Sequence, residues 1–139
     1  MVVVDSRLYQ ELPNMSVHPF ERVLPFEEWT DDMKRVAVFI SELFEHLYGE
    51  ELYVRITRKP SAPWALRIDR GDRLILNYDR LGKQWFSHHV ADEEILNLVA
   101  HEFASYKTGS TDGDEYRRET AAVFETVSGS NQPSVFINL

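Results

Sequence analysis

No cysteine occurs in this chain. Its absence excludes disulfides, thiolate zinc sites and cysteine nucleophiles, and it suits a reducing compartment. No apolar run approaches the roughly 18 residues that a membrane span needs. The start, Met1-Val2-Val3-Val4-Asp5, lacks the basic flank and apolar stretch of a signal peptide. The expectation is a soluble, cytoplasmic protein with no membrane partner. Basic residues are in deficit: 15 Lys and Arg against 23 Asp and Glu leave a formal net charge of −8, so no nucleic-acid partner is expected. Missing too are a Gly-x-Ser-x-Gly elbow, a phosphate-binding glycine loop and a dinucleotide fingerprint. Serine-nucleophile and nucleotide chemistry therefore have no motif to rest on.

What is present is enough for one domain. The chain has 139 residues, 43% of them hydrophobic, which can bury a core without staples. No internal repeat and no second domain is visible. Residues 1–25 hold Pro13, Pro19 and Pro25 and show neither helical nor strand period; they read as an N-terminal arm, with a short strand at 2–4 and a helical turn near 8–12. Residues 26–128 form the domain, and 129–139 read as a flexible C-terminal tail. In that tail the polar linker Ser128-Gly129-Ser130-Asn131-Gln132-Pro133 leads to Ser134-Val135-Phe136-Ile137-Asn138-Leu139, apolar enough to dock on the domain or on a partner.

Within the domain, Trp29, Met33, Val36, Ile40, Leu43 and Leu47 step by four and three, which predicts an amphipathic helix of about twenty residues. Asp31 and Asp32 complement its dipole, and Gly49 is placed to end it. His46, near its end, reads as a surface or dipole-complementing histidine. Three alternating segments follow: Leu52, Val54 and Ile56; Trp64, Leu66 and Ile68; Leu74, Leu76 and Tyr78. Asp69-Arg70-Gly71-Asp72 predicts a tight hairpin turn between the last two, and that reading outranks the integrin-type Arg70-Gly71-Asp72 match. Arg55, Arg58, Lys59, Arg67, Arg70 and Arg73 fall in this region and read as a solvated strand face. The connector after the strands holds Trp85 and Phe86, expected to pack under the next helix. It also holds His88 and His89, adjacent residues that rarely point at one ion and read as surface groups.

The helix that organises the chain is built on the stretch Glu94 to Ser105. It is expected to start near Asp92, where Asp92, Glu93 and Glu94 supply an N-cap and negative charge, and to end around Lys107-Thr108-Gly109, with Ile95, Leu98, Val99 and Phe103 as its buried stripe. It carries His101-Glu102 nearly two turns in. A last helix over residues 113–127 buries Tyr116, Thr120, Val123, Phe124 and Val127. Its start carries a capping-box pattern, Thr111 with Asp114 or Asp112 with Glu115.

An apolar helix body leading into His101-Glu102, set after a long helix and three strands, resembles the small zincin metallopeptidases, and the resemblance covers roughly residues 27–127. In that family a His-Glu-x-x-His helix holds zinc with two histidines and uses the glutamate as general base. The resemblance implies an α+β, zincin-like fold: long N-terminal helix, three-stranded mainly antiparallel sheet, central His-Glu helix, C-terminal helix. It also implies an edge strand bordering the substrate groove. Residue by residue it makes His101 the first ligand and Glu102 the general base, but Ser105 stands where the second histidine belongs. The third ligand would fall among residues 110–114, where Asp112 or Asp114 are the candidates and helix capping already accounts for both.

The expected function is a degenerate, non-catalytic zincin-like domain acting through protein contacts, with no cofactor. The first alternative is an active zinc-dependent hydrolase with a rearranged site: His101, Glu102, Asp112 or Asp114, and Glu119 or a nearby histidine. The second is a small acidic α+β interaction protein unrelated to zincins, in which His101 hydrogen-bonds Tyr106, Tyr116 or a backbone carbonyl. No feature specifies an oligomeric state.

Overall fold

The computed structural model describes residues 21–128; the expected strand at 2–4, the turn near 8–12 and the tail at 129–139 lie outside them. Leu24 and Trp29 are buried beside the first helix, and the Trp29 indole N–H donates to the Leu24 carbonyl at 3.2 Å. A 3-10 turn (Phe26–Glu28) occupies the start of the predicted periodic run, so helix α1 begins later, at Asp31, and runs to Tyr48. Thr30 starts it, its hydroxyl accepting from the Met33 N–H at 3.2 Å, and Gly49 stops it in the left-handed conformation, φ 70°.

The sheet is mixed and four-stranded: β1 (Arg22–Val23), β2 (Tyr53–Arg58), β3 (Leu66–Asp69) and β4 (Arg73–Asn77), in the order β1-β2-β4-β3. This corrects the expected three-stranded, mainly antiparallel sheet in two ways. Arg22 and Val23, placed in the arm by sequence, pair antiparallel with Arg58 and Thr57. And β4 lies between β2 and β3, parallel to β2 and antiparallel to β3.

The reason lies in the loop after β2. Asn77, fully buried, donates its side-chain amide to the carbonyls of Lys59 and Trp64, both at 3.1 Å, and its Oδ1 accepts from Lys59 N–H at 3.2 Å. Arg80 adds bonds to the carbonyls of Ala62, 2.7 Å, and Pro60, 2.9 Å. These bonds hold residues 59–64 across the end of β4, so the chain passes over that strand's place before the hairpin returns to fill it. The hairpin itself is as expected: Arg70 and Gly71 both take positive φ, 63° and 80°, the signature of a tight turn matched to strand twist.

One face of the sheet is the core. Val54, Leu74 and Ile68 form one cross-strand row and Ile56, Leu76 and Leu66 the next; all but half-buried Ile68 are buried, under α1 and α4. The opposite face carries Arg55, Ile75 and Arg67 in one row and Tyr53, Arg73 and Asp69 in another. Part of the basic cluster is thus paired or stacked: Arg73 bonds Asp69 at 2.8 Å, and the Arg67 guanidinium lies 4.7 Å from the centre of the Trp64 ring.

The connector folds into two short helices, α2 (Tyr78–Leu81) and α3 (Lys83–Ser87). Trp85 and Phe86 are buried, and the Trp85 indole N–H donates to the Glu94 carbonyl at 2.8 Å. Helix α4 (Glu93–Thr108) crosses beside β3, and α5 (Asp114–Ser128) packs along α4. Phe44 of α1 meets Phe103 of α4 edge to face at 5.1 Å. No helix among the described residues is long and apolar enough to cross a membrane.

Candidate functional site

β3 is the edge strand on the α4 side, and its pairing pattern decides which backbone groups face α4. The Asn77 N–H reaches the Ala65 carbonyl at 2.8 Å, so residues 65, 67 and 69 turn their backbone groups toward β4. Leu66 and Ile68 turn theirs outward. Glu102 meets one of them: its Oε2 accepts from the Ile68 N–H at 2.7 Å. Burial pushes the Glu102 carboxyl above its usual range, and the Ile68 N–H and the Arg67 charge pull it only part of the way back.

His101, one residue earlier, faces elsewhere. Its ring is exposed, and Nδ1 lies 2.5 Å from the Tyr116 hydroxyl on α5. Of the two tyrosines considered for it, Tyr106 is engaged otherwise, donating to Glu50 at 3.2 Å. Glu102 therefore fastens α4 to the sheet edge and His101 fastens it to α5. Between the two contacts lies an open cleft of about 210 Å³. Ala65, Leu66 and Leu98 form its apolar wall, and His101, Glu102, Ser105, Thr111 and Tyr116 its polar one.

Ser105 thus sits in the cleft with His101 and Glu102, on the helix face where a second zinc ligand would stand. Asp112 and Asp114 do not line it. Asp112 is exposed and shares reciprocal bonds with Ser110, and Asp114 pairs with Arg117. These partners replace the expected capping box at the start of α5. Glu119, a further candidate, accepts from the Tyr48 hydroxyl at 2.9 Å and ties α5 to α1.

The donor set does not fit a catalytic zinc. Such a site needs three protein ligands converging on one point. Among the described residues one His, Asp and Glu trio alone brings three donor atoms within 4.8 Å of one another, and it is His88, Asp92 and Glu94. His101, Asp112 and Asp114 form no such group. Asp92 stands at the N-cap of α4 but does not cap it with its side chain; the carboxylate lies 3.3 Å from His88 Nδ1 instead. All three side chains are more than a third exposed, so the trio is a solvent-facing polar cluster. The resemblance implied an edge strand beside the groove; that this strand is β3, with Ala65 and Leu66, and that Thr111 joins the lining were not legible in the sequence, because which edge faces α4 depends on the strand order.

Comparison with protein families, curated proteins and solved structures returns no match to this chain.

Proposed function

We propose that this chain is a degenerate zincin-like domain that binds an extended segment of a protein partner and does not hydrolyse it. The observation that carries the reading is the double engagement of the His-Glu pair. Glu102 is bonded to the sheet edge and His101 to Tyr116, while the second ligand position holds Ser105. A base already committed to a backbone N–H, without a gathered zinc donor set, lacks the means to activate water. The outward backbone groups of Leu66 and the outward carbonyl of Ile68 offer the ladder on which an added strand pairs, and the cleft beside them offers room for its side chains.

The test is the zinc content of the full chain by elemental mass spectrometry, before and after zinc loading, beside His101→Ala and His88→Ala. The reading expects no zinc lost on changing His101. Zinc held at one ion per chain and lost in His101→Ala would overturn it in favour of the hydrolase alternative, which the raised Glu102 carboxyl would then serve as general base. Zinc lost only in His88→Ala belongs to the surface trio and leaves the reading standing. As a positive control, Ser105→His restores two histidines four apart on one helix face and should raise zinc affinity above that of the parent chain.

A further inference from the structure

We propose that the apolar part of the C-terminal tail, residues 135–137, docks in a groove between the start of α4 and the end of α5. The groove, about 510 Å³, has buried Leu96 and Val127 as its floor and half-buried Ala91 and Phe124 as its walls. Glu93 and Ser128 form the rim. It lies away from the cleft, which Leu98, His101 and Tyr116 line on other turns of the same two helices.

Three features of the chain select its own tail as the occupant. First, Ser128 is at once the last residue of α5 and part of the groove rim, so the peptide bond that follows it tethers the tail to the groove. Second, Gly129-Ser130-Asn131-Gln132-Pro133 contains no apolar side chain, whereas Val135, Phe136, Ile137 and Leu139 follow within six positions. With Ser134 the linker has six residues; one of this polar, Gly/Ser-containing kind has a mean reach of about 13 Å and spans at most about 21 Å. That is enough to double back over the last two turns of α5, and it keeps the apolar residues at an effective concentration of roughly millimolar. Third, residues 129–139 carry no charged side chain, so no side chain of the tail is repelled by Glu93 at the rim. Filling the groove would cover the part-exposed faces of Ala91 and Phe124, which already pack against the core.

The full chain, methyl-labelled at Ala, Ile, Leu and Val, is compared by NMR with a Phe136→Ser, Ile137→Ser variant. The proposal expects the methyls of Ala91, Leu96 and Val127 to shift in the variant while those of Val54 and Leu74 stay in place, independent of protein concentration. Groove methyls that do not move overturn it. So do shifts that fade on dilution, because a second copy then supplies the occupant. The chain has no native cysteine, so Ala91→Cys with Ile137→Cys gives an independent reading. Within-chain cross-linking should be several-fold faster than for the control pair Arg67→Cys with Ile137→Cys, and equal rates would overturn the proposal.

Discussion

Two polar regions of this domain, one at the end of β4 and one between β3, α4 and α5, differ in their access to water. At Asn77 the side chain is sealed inside, and its amide and carbonyl are satisfied by the backbone of residues 59–64. At the cleft, Glu102 is half-buried and His101 is exposed, each with one protein partner. A buried polar group without a partner is costly, so the Asn77 bonds leave the loop one path and thereby set the strand order. Groups that meet water can exchange partners at little cost. The first region makes topology, and the second is where a ligand can bind.

Asn77→Ala breaks the comparison at its strongest point. It strands the Trp64 carbonyl and the N–H groups of Lys59 and Asp79, while the Lys59 carbonyl keeps its bond from the Ala62 N–H; at about 1–3 kcal/mol for each group left unpaired away from water it should cost the most of the changes named here. Chemical denaturation measures this loss. A loss no larger than that from the cleft variants would mean that the loop does not depend on Asn77. Glu102→Ala should come next, at about 1–3 kcal/mol for the orphaned Ile68 N–H, and Glu102→Gln, which keeps an acceptor, should lose less.

The titration of Glu102 sharpens the same point. Its folded-state value lies above the ordinary carboxylate value of 4.5, so between the two the folded chain holds the proton more tightly than the unfolded one. The stability this group contributes is therefore fully present below about 4.5 and is lost as pH rises through the raised value. Denaturation curves across that window should show a steeper fall for the parent chain than for Glu102→Gln. Parallel profiles would contradict the burial of the carboxylate. The smallest effect belongs to Tyr116→Phe. The His101 contact is exposed, and its removal should cost under about 1 kcal/mol, with the His101 ring resonances moving in NMR spectra while those of the sheet do not.

Much of this arrangement was legible residue by residue. The four-three stepping from Met33 to Leu43 predicted α1, the alternation of Val54, Ile56, Leu74 and Leu76 predicted the buried sheet face, and Arg70-Gly71 predicted the turn. Each is a local pattern whose period shows in a few neighbouring side chains. The β1 strand was not legible, because Arg22-Val23 is too short to show a period. Nor was the parallel pairing of β2 with β4, since Asn77 reads as one more polar strand residue until its partners eighteen and thirteen residues away are known. At the site, Tyr116 was one of three partners considered for His101, beside Tyr106 and a backbone carbonyl. The Glu102 bond to Ile68 was not legible, because a backbone N–H carries no residue-type signal.

By itself the sequence determined the buried faces of α1 and of the sheet, and it ruled out thiol chemistry, because composition and periodicity act through near neighbours; of the stripe expected on the last helix only Val123 and Val127 are buried, with Tyr116, Thr120 and Phe124 half-buried. It also determined that Ser105 stands four residues after His101, which one helix necessarily places on the same face. The tertiary structure alone decided that β4 enters the sheet beside β2, that the outward edge of β3 faces α4, and that Asp112 and Asp114 stand outside the cleft. Those outcomes rest on contacts between groups far apart in the chain, where satisfying buried hydrogen bonds selects one arrangement among several that the local patterns permit.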